Sequence, residues 1–417
     1  MEEVKITKLV HGGQGLGELA DGRKVFVWNA LPGETVKLRI IKKKHSYAEA
    51  IAEEIITASP DRLVPREANY LSTSPWQIMS LEVENKAKAE IVHELFRHEK
   101  VELPKFGEVI HDNREWNYRS KMEYSFWGDE DGLHLALHQR GSHGKQVVSG
   151  SALAMPAIDA AANAICTQLD KLNARAGDLK TIIVRVSQRD EAVAALYTKL
   201  EKFTKLELPA ELKGLRVYYS NPKSPASVPT KLIYELGDCQ LADDLLGQSF
   251  IYDVDSFFQV NLPVFEKALA RIKQYCQGDP VDMYAGVGSI GLTVATDQVE
   301  LVELDPATAA MARLNAESSS LSVTVTEAPT EKVLDSIVEE RPVIFDPPRA
   351  GLHSKVVERC LEVLPPQIIY LSCNPATQAR DLALLQDKYQ VSFFEIYNFF
   401  PRTPHIEVLA ILTKKLD

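Results

Sequence analysis

Three stretches carry residues whose types and spacing could do covalent chemistry. In "IIYLSCNPAT", residues 368–377, an apolar run ends and Cys373 is followed at once by Asn374 and Pro375. Asparagine is a good helix N-cap and proline suits the first helical position, so the sulfur is expected where a buried strand stops and a helix starts. A thiol there has its thiolate favoured by the positive end of the helix dipole, which suits a nucleophile. In "NFFPRTPHIEVLAIL", 398–412, His405 and Glu407 open a final apolar strand. A carboxylate dehydrated by Phe399, Phe400 and Ile406 gains basicity, as a general base requires. In "VIFDPPRAG", 343–351, Asp346 ends a strand and two prolines fix the backbone after it, a loop able to hold a carboxylate at a substrate edge. Arg349 and Arg380 are candidate cationic neighbours of the thiol, if they face inward.

A fourth stretch reads as a cofactor turn. "VDMYAGVGSIGLTVA", 281–295, places Gly286, Gly288 and Gly291 in a GxGxxG spacing directly after an apolar strand and before a helix. Glycines there let the backbone turn tightly and approach a bound cofactor. The next strand ends at Glu303, where an acid can accept hydrogen bonds from two ribose hydroxyls. A dinucleotide and S-adenosylmethionine both fit this geometry, and a structural loop beside a solvated acid is the plain alternative. Amino-methyltransferases carry an aromatic after the two prolines to stack a flipped base, whereas Arg349 stands here, which disfavours methylation of an exocyclic amine.

These residues need elements to position them. From about residue 250 onward apolar strands alternate with helices, the rhythm of a doubly wound, mainly parallel sheet whose ligands gather at the carboxyl ends of its strands. Residues 101–245 mix strands with the Ala-rich helix "AIDAAANAICTQLDKL", an α/β or α+β middle region, and 80–100 spaces its apolar residues as an amphipathic helix. The first sixty residues read as short strands with glycine turns, suggesting a small β-barrel. Its segment 35–47 holds five Lys or Arg and no acid, which suggests a phosphate-facing strand, although a solvated edge strand kept basic against edge pairing has the same pattern. The acid-free loops 138–146 and 221–229 could also touch a polyanion.

Composition narrows the class. The 417 residues carry a formal net charge of −11, which argues against broad nucleic-acid binding and leaves room for a local basic surface. Cys166, Cys239, Cys276, Cys360 and Cys373 include no CxxC pair, so neither a disulfide framework nor a metal site is expected. With no leader and no membrane-length apolar run, the cytoplasm is the expected location, with no membrane and no obligate protein partner evident.

Taken together, "SFFQVN" (256–261), "DMYAGVGSIG" (282–291), "VELD" (302–305), "FDPPRAG" (345–351), "SCNPAT" (372–377) with "ARD" (379–381), and "FPRTPHIE" (400–407) resemble, in family order, the S-adenosylmethionine-dependent RNA uracil-C5 methyltransferases. "WNYRSK" (116–121) looks like the family's middle-domain motif, and residues 1–58 look like a TRAM domain, an OB-like RNA-binding β-barrel. The resemblance implies a multidomain α/β protein: a TRAM-like barrel over 1–58, a central α/β domain over 59–245 and a Rossmann-like methyltransferase domain over 246–417. It implies Cys373 as nucleophile, Glu407 as general base, and Gln259, Tyr284, Gly286, Gly288, Ser289, Glu303 and Asp346 at cofactor or target-base positions. The implied partners are S-adenosyl-L-methionine and an RNA, with ribosomal RNA placed slightly ahead of tRNA. Cytosine-C5 transfer, which uses the same thiol addition, and an RNA-binding or RNA-folding role with incidental methylation are the alternatives. Many TRAM-bearing relatives hold an iron–sulfur cluster with cysteines soon after the barrel; "PREANYLSTSPWQIMS" has none, so no cluster and no metal are expected. The adenine contact expected near "TEAPTEKV" is likewise missing its Asn or Asp.

Overall fold

A computed structural model describes residues 2–224 and 227–415. Pro225 and Ala226 of the acid-free loop 221–229 lie outside the described residues. The chain divides into two compact units: one of residues 1–87, 114–241 and 400–404, the other of 88–113, 242–399 and 405–417. No helix among the described residues is long and apolar enough to cross a membrane.

The second unit holds the chemistry-bearing stretches. Its sheet has seven strands: β1 (Val281–Asp282), β2 (Gln298–Glu303), β3 (Ser322–Glu327), β4 (Val343–Phe345), β5 (Gln367–Ser372), β6 (Tyr389–Tyr397) and β7 (Glu407–Lys414). Their order is β3-β2-β1-β4-β5-β7-β6. Neighbouring strands from β3 to β5 pair in parallel, and β7 runs antiparallel to both β5 and β6. Its helices include α1 (Leu262–Tyr275), α2 (Gly291–Val294), α3 (Pro306–Glu317), α4 (Ser354–Val363) and α5 (Pro375–Leu385), along with most of the helix Leu81–His98. β4 and β5 are buried along their whole length, which is why they read as unbroken apolar runs. In α1 the buried Leu262, Phe265, Leu269 and Ile272 recur at helical spacing and form its core-facing stripe.

The first unit contains two sheets. The amino-terminal one has six strands, Glu3–Lys5, Lys8–Leu9, Gly15–Glu18, Lys24–Trp28, Thr35–Lys43 and Tyr47–Thr57, around a core of Val4, Ile6, Val25, Val27, Val36 and Leu38. The expected closed barrel is not what its ladders make: Glu3–Lys5 lies at one end of the strand order and Lys8–Leu9 at the other, with no ladder joining them among the described residues. The reason is local. The chain turns between these two short strands at Ile6 and Thr7, whose amides reach Glu34 O and Leu16 O, so covalent continuity rather than pairing links the two edges. Gly17 permits the curl, since a Cβ there would lie 2.3 Å from Val4 Cγ1.

The basic strand Thr35–Lys43 is neutralised from beside it. Lys37, Arg39 and Lys42 pair with Glu54, Glu53 and Glu49 of strand Tyr47–Thr57, at 2.7, 2.5 and 3.1 Å. The second sheet of this unit also has seven strands, with helix Pro156–Lys171 setting Ile158, Ala161, Ala162, Ile165 and Leu169 against Tyr124, Ile182, Val184 and Leu196. Arg140, in the acid-free loop 138–146, stacks over Trp28 at 3.9 Å and donates to Leu71 O, so it serves packing within this unit. Segment 400–404 is held here as well: the buried Arg402 pairs with Glu115, donates to Met79 O, and donates its backbone amide to Glu84.

Candidate active site

Every chemistry-bearing stretch of the second unit ends at one edge of its sheet. Asp282, Glu303, Asp346 and Cys373 sit at or just past the carboxyl ends of β1, β2, β4 and β5. β7 runs the other way, so its first residue, Glu407, comes to the same edge. The β5/β7 ladder ends on the pair Ser372–Val408, one residue short of Cys373 on one strand and of Glu407 on the other, and the Glu407 charge acts on the thiol.

The loop after Cys373 is built as its residue types dictate. Asn374 caps α5, its side chain accepting from Ala376 N at 3.2 Å, with Pro375 at the first helical position. Its amide group donates to Arg349 O at 2.7 Å, and Thr377 Oγ1 donates to the same carbonyl at 3.3 Å, so the start of α5 grips the loop that follows Asp346. Asp381, also buried, reinforces that grip: one oxygen accepts from Leu352 N and Tyr370 OH, each at 2.9 Å, and the other from Arg380. Arg380 is therefore engaged with Asp381. Arg349 is the arginine whose charge acts on both Cys373 and Glu407, and it lies 3.4 Å from His405 Nδ1.

The electrostatics differ from the expectation of a thiol activated by the helix start. Burial, and then the neighbouring Glu407 and Asp346, push the Cys373 thiol up to about 12, with Arg349 opposing. The helix dipole is outweighed first by burial of the sulfur and then by the two carboxyl groups beside it. Burial raises those carboxyls too: Asp346 goes up to about 7, with Asp282 adding to the effect, and Glu407 is held well above the ordinary carboxyl range by burial and by Asp346. Of Cys373, Asp346 and Glu407, Asp346 is the one brought near neutral pH. The other thiols are plain: Cys166, Cys239 and Cys360 are buried, and Cys276 is pushed up to about 12, chiefly by burial.

The glycine turn forms the other half of the edge. Gly286 and Gly288 adopt φ of +56° and +88°, in the left-handed region that glycine permits. A Cβ at Gly286 would meet nothing within 4 Å, so open space lies beside the backbone, whereas one at Gly288 would come 2.9 Å from Leu292. Glu303 accepts from Gly286 N at 2.9 Å and from Asp305 N at 2.8 Å, locking the acid to the turn. The buried Asp282 accepts from Gly291 N and is raised to about 7 by burial, and its second oxygen has no partner. Tyr284 is half-buried with its ring against Phe345. Ser289 is half-buried, and its carbonyl accepts from Thr293 Oγ1. Gln259 is buried just ahead of α1 and hydrogen-bonds to none of the other site residues. Near "TEAPTEKV", Thr330 is buried and donates to Met283 O, serving the β1 end instead of facing outward.

Some residues that shape this edge carried little signal in the sequence. Tyr370 and Gln378 looked like plain strand and helix positions, and Asn261, at the N-cap of α1, donates instead to Phe399 O. For Gln378 a signal did exist: it shares a helical face with Leu382 and Leu385, which marks it as inward. No cluster of His, Cys, Asp and Glu among the described residues could hold a metal ion.

Fold and edge together define a Rossmann-like methyltransferase domain accompanied by an amino-terminal sheet. The crystal structure of the Pyrococcus abyssi tRNA (uracil-54, C5)-methyltransferase, in complex with S-adenosyl-L-homocysteine, shares this fold with a TM-score of 0.76 at 19% identity, over 98% of this chain and 100% of that one. Residues 82–415 match the tRNA (Uracil-5-)-methyltransferase family and residues 1–52 match the TRAM domain. The chain belongs to that methyltransferase family. Among its relatives are an uncharacterized RNA methyltransferase of Enterococcus faecalis, 29% identical over 100% of this chain and 97% of its own length, and one of Thermotoga maritima, 26% identical over 99% of each.

Proposed function

We propose that this enzyme methylates C5 of a uridine in RNA, with S-adenosyl-L-methionine as cofactor, Cys373 as nucleophile and Glu407 as the base that removes the C5 proton. The observation that supports the reading is that Cys373, just past β5, and the buried Glu407, at the start of the antiparallel β7, lie at the edge bearing the glycine turn, with the Glu407 charge acting on the thiol. The cofactor fits the residues present. Glu303 keeps lone pairs for two ribose hydroxyls beyond the two amides it holds, and open space adjoins Gly286. Tyr284, Gly288 and Ser289 are assigned to the cofactor, and Gln259 and Asp346 to the cofactor or the target base. When bound, the cofactor supplies the electrophilic sulfonium methyl that C5 of the activated pyrimidine attacks.

The chain's own residues supply the activation. Cys373 sulfur forms a bond to C6, the C5=C6 electron pair moves into the O4 enolate, and the thiol proton passes to Asp346, whose value near 7 suits that exchange. Arg349 faces the site and offsets the negative charge that accumulates. Glu407 then takes the C5 proton, C5=C6 re-forms, and Cys373 leaves. Its raised basicity serves this step, and the barrier is divided by the covalent intermediate. A uridine reaches such an edge only out of its stack, so a loop or opened helix is the substrate form.

The matching family and the Pyrococcus abyssi enzyme are both named for tRNA, which makes tRNA the first RNA to assay and ribosomal RNA the second. With a labelled methyl donor, Cys373→Ala should abolish both transfer and any covalent RNA adduct. Glu407→Gln should lose roughly 10²–10⁴ in turnover while still forming the adduct. Transfer that survives Cys373→Ala, or that proceeds on transcripts lacking uridine, would overturn the reading.

A further inference from the structure

The geometry points to Gln378 as a positioning residue that sets the spacing between Cys373 and Glu407, an inference that rests on the roles proposed for those two. Gln378 is the fourth residue of α5 and fully buried. Its Nε2 donates to Tyr370 O on β5 at 2.9 Å and to Val408 O on β7 at 3.2 Å. Tyr370 lies three residues before Cys373, and Val408 directly follows Glu407. One amide group, carried by the helix that begins at the nucleophile, thus clasps the two strands that present nucleophile and base.

This arrangement is costly. Gln378 Oε1 is buried with no partner, which disfavours the fold, whereas a leucine or methionine on the same face would fill the space without an orphan acceptor. Packing alone therefore does not account for the residue, and the clasp does. A displacement on the order of 1 Å between reacting groups lowers rates by roughly a hundredfold, so a device fixing two strand ends acts where rate is most sensitive. Releasing the clasp should harm the base's step more than the thiol's, because Cys373 remains anchored by the start of α5 while the start of β7 loses its tie to that helix.

Gln378→Met keeps length and volume and removes the donor. Single-turnover transfer from labelled S-adenosylmethionine, the KM for RNA, the adduct on denaturing gels and the Tm are measured together. The expected result is a fall in kcat of roughly tenfold or more, a KM within about twofold of the parent, and a larger adduct fraction that disappears in Cys373→Ala/Gln378→Met. An unchanged kcat overturns the inference, and so does a lower kcat with a lower Tm and no added adduct, the mark of a merely structural residue. Should Gln378→Met fail to fold, Gln378→Asn withdraws the same amide by one methylene and is read the same way. Transfer surviving Cys373→Ala in the otherwise unchanged enzyme would instead remove the proposed roles of Cys373 and Glu407, a result separable from that of Gln378.

Discussion

Asp346 and Asp282 lie close enough that the charge of Asp282 raises Asp346, and this has consequences at the scale of single residues. If Asp346 accepts the thiol proton, it must be ionised, so kcat/KM should rise through about pH 7 and level off above it. A rate profile flat between pH 6 and 8 would remove Asp346 from that role. Asp282 makes a stability prediction. Its folded-state value, about 7 against an ordinary 3.8, means the folded chain holds a proton that the unfolded chain has released, so its contribution to stability declines as pH rises from about 4 to 7 and is constant above. Asp282→Asn keeps an acceptor for Gly291 N and abolishes the titration. Relative to the parent, the variant should gain on the order of 2–4 kcal/mol between pH 4 and pH 8, read as a shift in Tm. At this scale the sequence was informative about which residues meet, because Cys373 and Glu407 each sit at a strand boundary marked by Asn-Pro or by an apolar run. It was misleading about the resting state of the thiol. A cap argument sees the helix dipole but neither the burial of the sulfur nor the two carboxyls that only the sheet order brings beside it.

At the scale of elements, the loop after Asp346 is held by α5 rather than by its own prolines. Tyr370 and Asp381 are both buried, and the phenol donates to the carboxylate that also receives Leu352 N. Tyr370→Phe should cost about 1–2 kcal/mol and speed hydrogen exchange at the Leu352 amide, with the sheet itself unchanged. Exchange at Leu352 no faster than in the parent would show that the loop is held by other means. The parallel sheet was legible because doubly buried strands leave continuous apolar runs such as "IIYLS". The closed barrel was not. Strand periodicity predicts the strands but not which edges pair, and the two edge segments here are only three and two residues long.

At the scale of the whole molecule, each compact unit draws on separated stretches of sequence, which composition could not show since no linker of distinctive residues marks the crossings. Segment 400–404 illustrates this: five residues before the Glu407 strand are packed within the first unit around the buried Arg402. The charge pattern holds a comparable lesson. Five basic residues without an acid stand out in segment 35–47, yet the strand beside it supplies three glutamates that pair with Lys37, Arg39 and Lys42. That strand carries its own counterions. A polyanion docking there would displace carboxylates tethered to the protein instead of relying on cations released from the nucleic acid alone. The dependence of RNA affinity on salt, plotted logarithmically, should be shallower than five basic residues would give, and Glu49→Gln, Glu53→Gln and Glu54→Gln together should steepen it.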